Sequence, residues 1–176
     1  MGLKIPWYDR QEWSQIVAAI PAAVESIGND VESLREIARQ IEGGYADLDG
    51  LLDGLGAITC CSCTKICCTV ATVWYDVKDL LFLYLADSQL PEQQISRNAD
   101  RRCGHLTPHG CSLARRKRPF ICTWYICSTQ KDALLRQKNG LGEEIFACIS
   151  RLKARRKELE NRFSAAVGEE PLRLSP

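Results

Sequence analysis

Little in this sequence pulls it toward a charged partner. Its 176 residues carry a net charge of +1, so no global field attracts nucleic acid or an acidic membrane surface. No apolar run is long and clean enough to cross a bilayer. The best candidate, residues 70–86, is interrupted by Asp76, Lys78 and Asp79. The opening Met1-Gly2-Leu3-Lys4-Ile5-Pro6-Trp7 has no apolar core of a secretion signal. Pro6 stands where a myristoylation motif needs Ser or Thr. No nucleophile–base motif, phosphate loop or dinucleotide fingerprint is present, so any catalysis falls to a bound metal. No internal repeat or low-complexity segment stands out. The expected compartment is the reducing cytoplasm.

Cysteine, by contrast, is plentiful. Ten are present, five of them within the nine residues Cys60-Cys61-Ser62-Cys63-Thr64-Lys65-Ile66-Cys67-Cys68. The others are Cys103, Cys111, Cys122, Cys127 and Cys148. A thiolate is a soft, charged ligand for zinc or iron, and close spacing lets several converge without a large core. Buried small apolar residues and a disulfide framework are the alternatives; the missing secretion signal disfavours the second. Neighbouring residues on a helix point about 100° apart, which hinders Cys67 and Cys68 from ligating one tetrahedral ion. They imply a centre with more than one metal, or one ligand beside a thiol that does not ligate. Ten cysteines suffice for two four-thiolate sites.

The spacing C-x2-C-x3-C-C at Cys60, Cys63, Cys67 and Cys68 resembles the CxxCxxxCC family of zinc- or iron-chelating domains, also called the YkgJ family. The resemblance continues through Cys103-Gly-His-Leu, Cys111-Ser-Leu113 and Arg118-Pro119-Phe-Ile-Cys122, with Ala114 where the family has an aromatic. It covers roughly residues 60–127 and implies a metal site made by Cys60, Cys63, Cys67, Cys68, Cys103, Cys111 and Cys122. The ion is Zn2+ or iron, the latter alone or as an iron–sulfur cluster. Some proteins resembling this family are described as flagellin lysine N-methylases, which would imply an iron–sulfur enzyme acting on a protein. Whether this chain is an enzyme is left open.

Around the cysteines the pattern is helical. Val17, Ile20, Val24, Ile27, Val31, Leu34, Ala38 and Ile41 form one apolar seam. Pro21 predicts a kink or a fresh start there, and Gly43-Gly44 predicts the helix end. The glycines of residues 45–58 predict a linker with turns, although its leucines are regularly spaced. Val70, Val73, Trp74, Val77, Leu80, Leu81, Tyr84 and Leu85 recur at helical spacing. Leu141, Ile145, Cys148, Ile149, Leu152, Leu159, Phe163 and Ala166 trace a long last helix.

The predicted fold is mainly α, with long antiparallel N- and C-terminal helices around an irregular, metal-stapled, Cys-rich centre. The domains read as a helical extension and linker over 1–58, a metal-binding core over 59–128, a long helix over 129–168 and a disordered tail over 169–176. The long helices offer a surface for a protein partner or a homodimer.

Other residues carry alternatives. His105 and His109, the only histidines, could complete a mixed site or move protons at an open one; as loop residues they could equally be solvated. Cys127 could ligate or pack, and Cys148 shares the apolar face of the last helix, where a core thiol fits best. The run Arg115-Arg116-Lys117-Arg118, with Arg101 and Arg102 nearby, reads as a nucleic-acid contact, as compensation for a thiolate centre, or as a solvated loop. Arg151–Lys157 reads as the polar side of a helix. The function expected is a cytoplasmic metal-binding protein, structural or chelating, ahead of an iron–sulfur enzyme and a nucleic-acid-binding module.

Overall fold

The computed structural model describes residues 5–60, 63, 66–108, 110–137 and 139–168. Cys61, His109 and the tail expected over 169–176 lie outside these residues.

The first helix, α1, spans Arg10–Ser26 and is capped by Asp9, whose carboxylate accepts the Gln11 and Glu12 amides at 2.7 and 3.3 Å. Pro21 sits inside it. The break falls later, at the 3-10 turn Gly28–Asp30, where Gly28 takes a φ of +65° that only glycine adopts without strain. The tertiary packing of Trp13, Ile16, Ile20 and Val24 thus outweighs the amide that Pro21 lacks.

The second helix, α2, corrects the reading of Gly43-Gly44 as a stop. It runs from Val31 to Thr59, straight through both glycines and through the expected linker. Its buried residues Leu34, Ala38, Ile41, Tyr45, Leu48, Leu52, Leu55 and Thr59 continue one seam in steps of three and four. Gly44 is a packing residue: a Cβ added there would lie 2.8 Å from Leu152 Cδ2, so its bare backbone is what lets the last helix approach.

That last helix, α7, spans Leu141–Val167, as the periodicity predicts. It packs chiefly against α2. The two run antiparallel, because the intervening helix α6 (Ser128–Arg136) links the C-terminal end of α2 to the start of α7. Gln130 of α6 reaches Cys60, and Gly142 lies against Leu134.

Residues 70–85 are not one helix: 71–76 are extended and only 77–85 are helical. A single turn, α3, covers Cys67–Val70, and α4 covers Val77–Leu85. Asp76 starts α4 with a reciprocal capping box to Asp79. The extended link between them is held by Gln94, whose side chain accepts the Tyr75 amide at 2.7 Å and donates to the Tyr75 carbonyl at 3.1 Å. The chain then forms a hairpin of β1 (Leu106–Thr107) and β2 (Gly110–Cys111) and a short helix α5 (Phe120–Trp124) before reaching α6.

The protein is therefore mainly α. Its core draws Trp13 and Ile20 from α1, Tyr45 and Leu48 from α2, Leu80 and Phe82 from α4, and Ile149 and Phe163 from α7. At its centre lies a charge that the periodicity did not reveal. Arg156, read above as part of a polar helix face, is only 2% exposed. It donates to Asp79 at 2.7 Å and to Asp76 at 3.2 Å, and lies over the Phe120 ring.

Candidate metal centre

Each cysteine is set by local backbone structure. Cys60 is the C-cap of α2, its amide bonded to the Gly56 carbonyl at 2.8 Å, and the Cys63 amide returns to the Cys60 carbonyl at 3.2 Å. Cys67 and Cys68 open α3. The amide of Cys103 donates to the Cys68 carbonyl at 2.8 Å, which brings a residue 35 positions away onto α3. Cys111 sits in the hairpin opposite Leu106, whose amide bonds to the Cys103 carbonyl at 3.0 Å. Cys122 lies in α5, and Cys127 is the N-cap of α6.

Gln130 ties the first and last of these together. Its Oε1 accepts the Cys127 amide at 3.2 Å, while its Nε2 approaches Cys60 Sγ at 3.9 Å.

The thiols feel one another's charge. Burial pushes the Cys67 thiol up from its ordinary value, and Cys127, Cys60 and Cys63 push it the same way. Burial also raises Cys68, with Cys103 and Cys111 next and then Cys67. Cys122 keeps exposed surface as a residue, yet desolvation is the largest influence on its thiol. Together with Cys68, Cys103 and Cys111 it drives that thiol to about 12.

The only cation acting on Cys68 and Cys122 among these main influences is Arg118, which pulls both down. Arg118 is held by a bond from Nε to the Leu113 carbonyl at 2.9 Å. Its neighbours are engaged elsewhere: Arg115 pairs with Asp49 and Asp53 on α2, and Arg116 with Glu42. The basic run is thus mostly a clasp between the hairpin region and α2, and the charge of Arg118 acts on Cys68, Cys122 and Asp49.

His105 shares a 3.3 Å contact between Nδ1 and Ser112 Oγ across the hairpin. Cys148 is buried between α7 and α2, its thiol 3.6 Å from the Gly44 carbonyl, in keeping with a core thiol. A groove of about 560 Å3 opens beside Cys103, lined by Tyr8, Asp9, Glu12, Val73 and Arg97.

As a donor set these thiols fit zinc, iron or an iron–sulfur cluster, all of which accept thiolate sulfur. Their positions are not those of a closed site: among the described residues, no group of three or more His, Cys, Asp or Glu side chains is arranged to hold a metal ion. The nine described cysteines are all free thiols. The roles of Cys127 and Arg118 were only alternatives in the sequence, and Gln130 gave no signal in it, because Cys60 lies 70 residues away from it.

No family model matches the chain, and neither a curated protein nor a solved structure does. Among the described residues no helix is long and apolar enough to cross a membrane.

Proposed function

We propose that this protein is a cytoplasmic metal-binding protein whose cysteine thiolates hold zinc or iron, the latter alone or in an iron–sulfur cluster, in a structural or chelating role. The observation that carries this reading is the return of Cys103 and Cys111 to the Cys60–Cys68 segment, through the 2.8 Å bond from the Cys103 amide to the Cys68 carbonyl and the hairpin beyond it. Among the described residues sulfur is the donor type this gathering offers in number, and soft ions select sulfur.

The bound group would supply a cross-link among segments with little secondary structure of their own. Without such a staple, an irregular stretch as long as residues 86–127 is costly to order. Structural zinc contributes on the order of 10–16 kcal/mol in small peptides, enough to draw open thiols into a closed shell. The reducing cytoplasm keeps those thiols available. Arg118 offsets part of the negative charge that four thiolates leave on a divalent ion.

The test is anaerobic purification from cells supplied with both metals, followed by elemental analysis and an optical spectrum. Zinc in a colourless sample, or iron with acid-labile sulfide in a brown one, supports the reading. Protein that carries neither metal, and takes up neither on titration, overturns it.

A further inference from the structure

The 2.8 Å bond from the Cys103 amide to the Cys68 carbonyl sets two cysteines backbone to backbone. Among the described residues it is the one backbone bond that joins cysteines distant in sequence. A direct backbone hydrogen bond holds the α-carbons of its two residues about 5–6 Å apart. That lies inside the window of roughly 4.4–6.8 Å that a disulfide spans. A second tie braces the same two segments. The Arg97 guanidinium donates both to the carbonyl of Ala71, just past Cys68, and to that of Arg101, just before Cys103. Cys103 is also clamped on its own strand, where it forms an antiparallel bridge with Arg97. The Gly104 amide meets the Ser96 carbonyl there at 2.9 Å, and the Asn98 amide meets the Arg102 carbonyl at 2.9 Å. Cys103 lines the groove of about 560 Å3, and neither it nor Cys68 is fully buried. A small oxidant thus has a path to Cys103, and Cys68 is the cysteine whose backbone touches it.

We infer that Cys68 and Cys103 are a peroxide-responsive pair that closes into a reversible disulfide. The Cys103 thiolate attacks one oxygen of hydrogen peroxide, the O–O bond breaks, and hydroxide leaves behind a sulfenic acid. The Cys68 sulfur then attacks that sulfur, the S–O bond breaks, and water leaves. In all, two thiols lose two electrons and one peroxide becomes two waters, which carry off both thiol protons. The new link closes the chain around residues 68–103, a stretch that holds α4 and much of the irregular region after it. The pairing stands without the metal-binding reading. Its consequence rests on that reading: the thiolate is the metal ligand, so the oxidised chain loses two donors and releases its metal. Exchange with a free thiol restores both.

The test treats the reduced, metal-free, full-length protein with one equivalent of hydrogen peroxide, blocks the remaining thiols with N-ethylmaleimide, and maps the tryptic peptides by mass spectrometry. The first link should join peptide 66–78 to peptide 103–115, with fragmentation placing it at Cys68 and Cys103. Dithiothreitol should undo it. Cys68→Ser and Cys103→Ser should each abolish the link, while Cys67→Ser and Cys111→Ser should keep it. A first link at Cys67 or Cys111, or one between Cys60 and Cys63, overturns the pairing. So does oxidation that leaves no link at all. Because fragmentation is read on the unmodified chain, the result stands even if a variant fails to fold. The same dose given to zinc-loaded protein should release zinc, read with a chromogenic chelator, in step with the link. A link that forms while zinc stays bound overturns the coupling to metal. Protein that takes up no zinc overturns the metal-binding reading and leaves the pairing to be judged on the metal-free chain.

Discussion

Arg156 donates to Asp79 Oδ1 at 2.7 Å, and the same oxygen accepts the Phe120 amide at 3.1 Å. One buried carboxylate thus joins α7, α4 and the first residue of α5, the helix that carries Cys122. Burial pushes Asp79 up, to about 6, against the pull of the Arg156 guanidinium. Tyr45 adds its hydroxyl, 3.4 Å from the guanidinium. The helical core and the thiol-bearing segment are coupled through this cluster.

Breaking that pair from one side leaves a buried charge without its partner, which costs about 3–5 kcal/mol. Arg156→Met should lower the urea midpoint accordingly, and far more than Arg155→Met, whose side chain is half-exposed and pairs with Glu158. Equal midpoints for the two variants would show that Arg156 is not the buried anchor described here.

The glycine pair in α2 gives a second contrast. A Cβ at Gly43 meets nothing within 4 Å, whereas one at Gly44 would press into Leu152. Gly43→Ala should stabilise the protein by up to about 1 kcal/mol through helix propensity. Gly44→Ala should forfeit that gain to overpacking, which costs about 1–3 kcal/mol. Thermal melts of the two variants, moving in opposite directions, would verify the close approach of α2 and α7. A stabilised Gly44→Ala would refute it.

Acidity should control metal occupancy. The Cys122 thiol, raised from 9.0 to about 12 by burial and by neighbouring thiols, is protonated in the metal-free protein at neutral pH. Cys67 and Cys68 are raised too. Binding must expel those protons, so occupancy falls as pH falls. A titration at pH 7.5 should release protons, and shifting loaded protein to pH 5 should release metal. The metal-free protein has a further signature. Its fold holds the Cys122 proton more tightly than the unfolded chain does, so it loses stability as pH rises from 9 toward 12. Metal uptake without proton release would count against thiol ligands.

Arg118 lowers the Cys68 and Cys122 thiols. Arg118→Met should weaken metal binding by about 1 kcal/mol, roughly fivefold. Competition with a graded chelator measures this. An unchanged affinity would show that the cation does not offset the thiolate charge.

Much of this architecture is written in the sequence, and the rest is hidden for identifiable reasons. The α7 seam of Ile145, Cys148, Ile149, Leu152, Leu159 and Phe163 is plain from its period. Position 156 lies on that seam, between 152 and 159, yet an arginine there reads as surface until Asp79 is brought under it by α4. Gly43 and Gly44 carry the composition of a helix end; only the presence of Leu152 across the interface makes the second a contact residue. The continuation through Tyr45, Leu48, Leu52 and Leu55 was visible as spacing and lost to the weight given to glycine. At the cysteines, the local spacing identifies the donors. Their grouping depends on the Cys68–Cys103 and Cys60–Gln130–Cys127 contacts, which span long stretches of chain and leave no local trace.

The most direct measurement is X-ray absorption at the edge of the bound metal, on protein purified anaerobically and loaded with zinc. The account predicts a shell of four sulfurs near 2.3 Å, the length of a zinc–thiolate bond. A shell dominated by nitrogen or oxygen near 2.0–2.1 Å would contradict it.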